Sequence, residues 1–471
     1  MQTIDNTPLK DFEELFEIIH LFESTNKITC KLLNGKSLGF YSKVILSRIK
    51  NNFIVELTVL KTLSPFFHRD FGKIEDFELE IKGIQYLIKD AHIISNNIRP
   101  TSTKVTVKFY GFQKHKSNLD YFSHTLILPS EEDIFFPFYL ENIMCYKTNT
   151  QSILGLSTVM LDSYNFDIFR YNISSSKKNY LIIDSANEMT LEVFQKYAYS
   201  ILMGFGYITG SFVQNIGFYF SYDEEKKLQG IQVKSKRKSV YTFLSPIYKN
   251  PYAVFQNRDY HDKYYSIIRG LTSSEFSKLC QLINESEEFK VIILLILESC
   301  VATQIIQPAG FAVALEGFAA FIKKEIEKEK VKASPKLSSK ILGDLKTVLT
   351  NNREELGHSF DFFSKKIEQI NQPANKDTLL KPFEYLEIPI NELDKQTIAH
   401  RNDLLHGRYN LKSTFEGENN DKYRFSASLR LYTLLSALIL KYIGFNNRII
   451  NHPKRSDSLN ITIEEEPFRQ I

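Results

Sequence analysis

Residues 272–306, TSSEFSKLCQLINESEEFKVIILLILESCVATQII, decide how this chain is divided. Thr272-x-x-Glu275 has the form of a capping box, in which the two side chains satisfy backbone N–H groups at a helix start. Phe276, Leu279 and Ile283 follow at helical spacing. Val291–Ile306 is apolar and long enough for a buried helix, which Gln307–Pro308 is expected to break. Phe311, Leu315, Phe318 and Ile322 resume the stripe at i, i+4, i+7 and i+11.

Upstream the period is two. Phe53, Val55, Leu57 and Val59 alternate with other residues, as do Phe77, Leu79 and Ile81, and Val105, Val107 and Phe109. That pattern gives a strand one buried and one wet face, as in an antiparallel sheet. From about Ser130 the texture is mixed, and a subdivision near 130 is allowed. Tyr180–Ile183 reads as a buried strand and Asn187–Met203 as a helix. Gly204, Gly206 and Gly210 are spaced GxGxxxG, which is not the dinucleotide fingerprint, and are read as turn glycines. Lys234-Ser235-Lys236-Arg237-Lys238 is the densest basic run. It can steer RNA toward the protein or form a solvated hairpin tip; the hairpin tip is the simpler reading.

Downstream of 306, Ile341, Leu342, Leu345, Val348 and Leu349 form a further stripe. Asn391–Leu405 is expected to be helical, and Leu431, Leu434, Leu435, Leu438 and Tyr442 share one helix face. The tail after Pro453 reads as loosely ordered. The expected fold class is therefore α+β: a β-rich region over 1–265, then an all-α helical bundle over 266–471.

A chain of 471 residues exceeds what one hydrophobic core usually supports, which agrees with two domains. The net charge of +4 is too small to point to nucleic acid by itself, so any such contact must come from local patches. The chain has 25 Tyr and 37 Phe, and most must fill the core, so aromatic abundance does not argue for base stacking. Cys30, Cys145, Cys280 and Cys300 stand far apart, with no CxxC spacing and no zinc-type cluster. Free thiols, a reducing compartment and no metal or cofactor are expected. The acidic N-terminus does not resemble a signal peptide, and the apolar runs fall short of the roughly 20 residues that span a bilayer. A cytoplasmic protein that does not enter membranes is expected.

The chemistry-bearing segment is Ala399-His400-Arg401-Asn402-Asp403-Leu404-Leu405-His406-Gly407. An Arg-x4-His pattern also occurs at Arg353–His358, where acidic residues follow the arginine and Gly357 suits a helix cap. At 401 a polar Asn402 follows directly, and Leu404 and Leu405 anchor the segment to a core. Arg353 is read as an exposed helix end and Arg401 as the site. Arg401 and His406 can also be read as a structural pair at a helix end. Glu298 and Glu316 interrupt apolar helices as amphipathic borders, or as members of the same cleft.

His400–Tyr409 resembles the signature of HEPN-domain proteins, in which Arg-(polar)-x3-His sits in a small helical bundle. The layout is similar to the ApeA-like group of bacterial antiphage proteins, which pair a β-rich N-terminal domain with a C-terminal HEPN domain. The resemblance implies metal-independent cleavage of RNA by the ribose 2′-hydroxyl, with Arg401, Asn402 and His406 as the catalytic residues. It also implies a homodimer through the helical domain and a phage-derived trigger read by the N-terminal region. Some toxin members carry a tyrosine two residues after the histidine; here that position is Arg408, and Tyr409 follows it. Arg401 suits stabilisation of the phosphorane charge and His406 suits proton transfer near neutral pH. Five residues apart on an ideal helix, they do not share a face, so convergence requires a distorted turn or a second copy.

Overall fold

A computed structural model describes residues 13–23, 27–34, 43–49, 52–60, 72–74, 76–98, 102–114, 123–147, 151–173, 178–185, 187–235, 237–329, 336–368, 375–405, 420–459 and 465–471. The chain forms two compact units, Met1–Glu285 and Ser286–Ile471.

The first unit opens with α1 (Glu13–Glu23). Its strands are β1 (Ile28–Asn34), β2 (Lys43–Ile49), β3 (Asn52–Leu60), β4 (Phe77–Ile81), β5 (Ile84–Ile88), β6 (His92–Ile98), β7 (Ser102–Phe109), β8 (Gly111–Lys114), β9 (Ser123–Ser130), β10 (Met144–Lys147), β11 (Gln151–Leu161), β12 (Tyr164–Ile173) and β13 (Lys178–Ser185). Then come α2 (Leu191–Thr209), β14 (Ser211–Phe212), β15 (Ile216–Tyr222), β16 (Leu228–Ser235), β17 (Val240–Tyr241), α3 (Pro251–Phe255), α4 (Arg258–Tyr264) and α5 (Ser273–Glu285). The large sheet runs β10-β11-β12-β13-β9-β15-β16-β8-β5-β4-β1-β2-β3-β7-β6, antiparallel throughout.

The three alternating runs form β3, β4 and β7, and Phe53, Val55, Leu57, Phe77, Leu79, Ile81, Val105, Val107 and Phe109 point into one core; the Val59 side chain lies outside the described residues. That core gathers round α1. Phe16 stacks on Tyr171 and meets Tyr180, while Phe22 meets Tyr86 and Phe112. Around β12, β13, β9 and β15 the opposite sheet face is covered too. There Phe194 of α2 packs on Phe166, His124 and Tyr219. Burial on both faces is why Tyr180–Ile183 is apolar without alternation and why Phe218–Tyr222 is buried throughout, Ser221 included.

Several expectations are corrected in this unit. No division falls at 130, because β9 is an inner strand between β13 and β15. Gly204 and Gly206 lie inside α2 and are packing glycines. A Cβ on Gly204 would stand 2.8 Å from Cys280 Sγ, and one on Gly206 2.8 Å from Phe212 Cα. Only Gly210, at φ 75°, ends the helix as a left-handed cap. The basic run does not tip a hairpin: the β15–β16 turn lies at Asp223–Lys227, and Lys234 and Ser235 end β16.

The capping box at Thr272 is present. Glu275 N donates to Thr272 Oγ1, and Glu275 Oε2 accepts from Thr272 N at 2.9 Å. The helix it starts belongs to the first unit, so the division falls after Glu285 and not at 265. α5 is tied to the β11 edge: Ser277 Oγ and Gln281 Oε1 accept from the backbone of Met160 and Asp162. Its apolar face meets α2 at Gly204.

The second unit contains α6 (Glu287–Cys300), α7 (Gln307–Glu329), α8 (Lys336–Asn351), α9 (Arg353–Leu356), α10 (Phe360–Glu368), α11 (Asn375–Tyr385), α12 (Glu392–Ala399), α13 (Arg401–Leu405) and α14 (Asn420–Tyr442), then β18 (Arg448–Ile450) and β19 (Phe468–Gln470). The fold class α+β is as expected. The apolar run 291–306 is not one helix: α6 ends at Cys300, whose carbonyl accepts from the buried Gln307 amide at 3.2 Å. Gln307–Pro308 opens α7, where a missing N–H costs nothing. Leu345 and Val348 of α8 do not share the burial of Leu349; Val348 is exposed.

α14 is the central helix, with residues 427–440 all buried rather than one face alone. Tyr432 packs on Phe311 of α7. Described residues after α14 cover it as well, so the tail is not loose over 465–471. Phe468 is buried, and β19 pairs with β18 through Ile450 and Phe468. No helix of the described residues is long and apolar enough to cross a membrane.

Candidate functional site

The segment that carries the chemistry is set by what precedes it. Asn391 caps α12: its Oδ1 accepts from Asp394 N at 2.9 Å, while Asp394 Oδ2 accepts from Asn391 N at 3.0 Å. Thr397 Oγ1 donates back to the Leu393 carbonyl, and Ile398 is fully buried. The expected single helix over 391–405 is broken at His400, whose φ of −87° and ψ of 2° stop α12. The His400 carbonyl then accepts from Asp403 N and starts α13. The chain therefore changes direction immediately before Arg401.

That turn sends Arg401 inward. The side chain is 3% exposed, and its Nε donates to Glu316 Oε1 of α7 at 2.8 Å. Its Nη1 donates to the Ile398 carbonyl at 3.2 Å. These contacts engage two nitrogens of a group with five N–H donors in a planar fork. Glu316 is 40% exposed, so the pair sits at the boundary between core and surface. Leu404 is buried and Leu405 half-buried, so one of the two expected anchors is fully in the core. Asn402 is exposed beside the buried arginine. His406, Gly407, Arg408 and Tyr409 lie outside the described residues.

The second arginine pattern behaves as expected of a helix end. Arg353 begins the short α9, lies 4.9 Å over the Phe360 ring, and Gly357 caps the helix at φ 46°. Glu316 is the residue whose partnership sequence reading left undecided. Its signal was a carboxylate set between apolar Leu315 and Phe318 in a helix that has little reason to carry charge there.

A larger charged cluster lies at the other end of α12 and was missed. Asp394 is fully buried, and its two oxygens accept from Arg430 Nη1 at 2.9 Å and Arg469 Nη1 at 2.8 Å. Arg430 also pairs with Glu465 at 2.9 Å. Glu465 accepts from the amides of Asn391 and Asn451. Burial pushes the Glu465 carboxyl up, but the Arg430 charge and these hydrogen bonds outweigh it and hold it below the usual carboxylate range. The cluster draws on α12, α14 and the C-terminal tail, a combination no local pattern announces.

In the first unit, burial pushes the Cys30 thiol up to about 11 and also raises Cys280, so neither is a thiolate at neutral pH. Cys300, in the second unit, is raised in the same way. Among the described residues no group of three His, Cys, Asp or Glu side chains is placed to hold a metal ion. Compared with known protein families, curated sequences and solved structures, the chain matches none.

Proposed function

We propose that the second unit is a metal-independent endoribonuclease of the HEPN type, that it serves as an antiphage effector, and that the first unit is its sensor or regulator. The observation that carries this reading is Arg401: a guanidinium held at the core boundary by one carboxylate, directly after a helix break and five residues before His406. The Glu316 carboxylate occupies the place an anion takes on that fork. In the proposed reaction a phosphate of single-stranded RNA replaces it.

The 2′-hydroxyl of the substrate loses its proton to a base, its oxygen bonds to phosphorus, and the bond from phosphorus to the 5′-oxygen breaks. The leaving oxygen takes up a proton. Products carry a 2′,3′-cyclic phosphate and a 5′-hydroxyl. His406 performs the proton transfers, Arg401 pairs with the charge that grows on the phosphorane, and the exposed Asn402 amide orients the phosphate. A flexible strand suits this, because in-line geometry requires a backbone free to turn. Homodimerisation through the helical unit is supported by the exposed apolar turn after α6, where Ile305 and Ile306 are 58% and 60% exposed.

The test is cleavage of labelled single-stranded RNA by the purified chain in EDTA, beside His406→Ala. Cutting by the wild type alone, with cyclic-phosphate ends, is the expected result; equal cutting by the variant would show the assignment wrong.

A second reading has its own observation. Arg401 is 3% exposed and already paired, as in a structural ion pair. A non-catalytic HEPN-type module that binds RNA or protein would keep its effect in cells when His406 is replaced, and the proposed enzyme would not.

A further inference from the structure

The two ends of the basic run at 234–238 line two cavities of the first unit. One, of about 400 Å³, is lined by Lys234 and Ser235; the other, of about 550 Å³, by Lys238 and Ser239. Both volumes fall in the range of ligand pockets.

The first cavity is built by strand register. Gln232 pairs with Gln113, Lys234 with Gly111, and Leu87 with Gln113. Residues two apart on a strand share a face, so Leu87, Gly111, Gln113, Gln232 and Lys234 line one side of the sheet. Gly111 leaves the hollow beside the Lys234 stem. A Cβ there would meet the Val233 carbonyl at 2.4 Å, so no other residue fits. Side-chain amides hold the polar wall in place: Lys234 Nζ donates to Gln195 Oε1 at 2.7 Å, and Gln232 Nε2 donates to Gln113 Oε1 at 3.3 Å.

Tyr110 stands at the rim, where the chain passes from β7 to β8. It is 49% exposed, and Lys108 Nζ lies 4.9 Å from its ring centroid. Lys89 lines the same rim, while the neighbouring Asp90 is already paired with Lys73. The second cavity adds Arg48 and Lys238.

The rim thus offers a flat aromatic face, planar amides below it and cations on either side. From Ser235 to Lys238 the chain spans at most about 10 Å, short enough for one strand to touch both cavities.

We propose that this face of the first unit binds single-stranded nucleic acid. One base stacks on Tyr110 with its edge toward the Gln113 and Gln232 amides, and successive phosphates lie along Lys234, Arg237 and Lys238. Aromatic stacking with a basic track is the chemistry that grips a strand without a duplex. The proposal is independent of cleavage in the second unit.

The test uses the full chain carrying Arg401→Ala and a fluorescein-labelled ten-nucleotide single strand, as RNA and as DNA, followed by anisotropy. Tyr110→Leu is expected to weaken binding about tenfold, and Tyr110→Phe to restore it. Lys238→Gln is expected to reduce the slope of log affinity against log salt by about 0.7. Thermal melting of each variant beside its parent identifies any that fail to fold, and Tyr110→Phe keeps the comparison open in that case.

Unchanged binding in Tyr110→Leu overturns the base site. Equal affinity for the matched duplex overturns single-strand recognition in favour of a general polyanion surface. Full competition by a mononucleotide at equal phosphate concentration overturns the strand in favour of a nucleotide pocket. RNA bound tighter than DNA, or the reverse, supports the proposal and tells which sugar the site prefers. Cleavage by the chain without Arg401→Ala is read separately, so loss of binding at Tyr110 and loss of cutting at His406 are distinct results.

Discussion

The two ends of α12 carry two buried arginine sites built to different plans. At the Asp394 end, Arg430 and Arg469 share one fully buried carboxylate, and Glu465 with two asparagine amides completes the set. At the Arg401 end a buried guanidinium faces, among the described residues, a single carboxylate that solvent also reaches. The first arrangement joins three parts of the chain, and both of its carboxylates already meet an arginine. The second has one anion position, held by a residue that can swing into water. A charge cluster whose groups all answer one another is architecture, whereas one with an exchangeable partner is a candidate for chemistry.

The largest expected effect breaks the architectural end. Asp394→Ala takes the shared carboxylate from the buried Arg430 and the partly buried Arg469 and removes half of the α12 capping box, and should cost about 3–5 kcal/mol of second-unit stability. Urea denaturation followed by a probe in that unit reads it. A loss under about 1 kcal/mol would mean that the cluster is held by the surrounding fold and not the reverse.

At the other end the stability effect is smaller and the functional effect larger. Arg401→Ala leaves Glu316 free to hydrate, so a loss of about 1–2 kcal/mol is expected, below the range for a fully enclosed pair. Under the proposed function it also abolishes RNA cleavage. Glu316→Gln is the sharper probe: it keeps a hydrogen-bond acceptor for Arg401 and removes the competing charge. It should change stability by under about 1 kcal/mol and tighten RNA binding. Weaker binding by that variant would place Glu316 with the architecture.

The smallest effect separates the two ends by pH. Glu465 has a depressed carboxyl in the folded chain. Its contribution is therefore complete above the ordinary glutamate value near 4.3 and fades as the pH falls below it toward the folded value. Protection factors of the β19 amides, corrected for the intrinsic exchange rate at each pH, should fall below about pH 4 while those of β13 in the first unit hold. Protection of β19 that does not change with pH would show that Phe468 packing alone holds the tail.

Much of this was readable from the chain. Alternation at Phe53–Val59, Phe77–Ile81 and Val105–Phe109 specified half-buried strands, because a pleated strand exposes every second residue. Thr272 and Glu275 announced a helix start through a local hydrogen-bond exchange. Arg401 stood out by its neighbours. The rest required contacts that local patterns do not encode. Gly204 and Gly206 looked like turn residues because a glycine advertises freedom, and only the approach of Cys280 and Phe212 shows that their lack of a side chain is what matters. The tail after Pro453 reads as polar and loose, yet Phe468 is buried and Arg469 reaches Asp394 across 75 positions of sequence (469 − 394).

Sequence by itself determined the class of the alternating strands and the main apolar helices, and the candidate motif at Arg401–His406, since periodicity and capping are short-range and survive without a fold. Tertiary structure alone decided where the units divide, that α5 joins the sheet, that α14 is enclosed on every face, and which carboxylate meets which arginine. Those outcomes depend on which surfaces meet after the chain closes, and burial of a charge is tolerated only where a partner from a distant segment is brought to it.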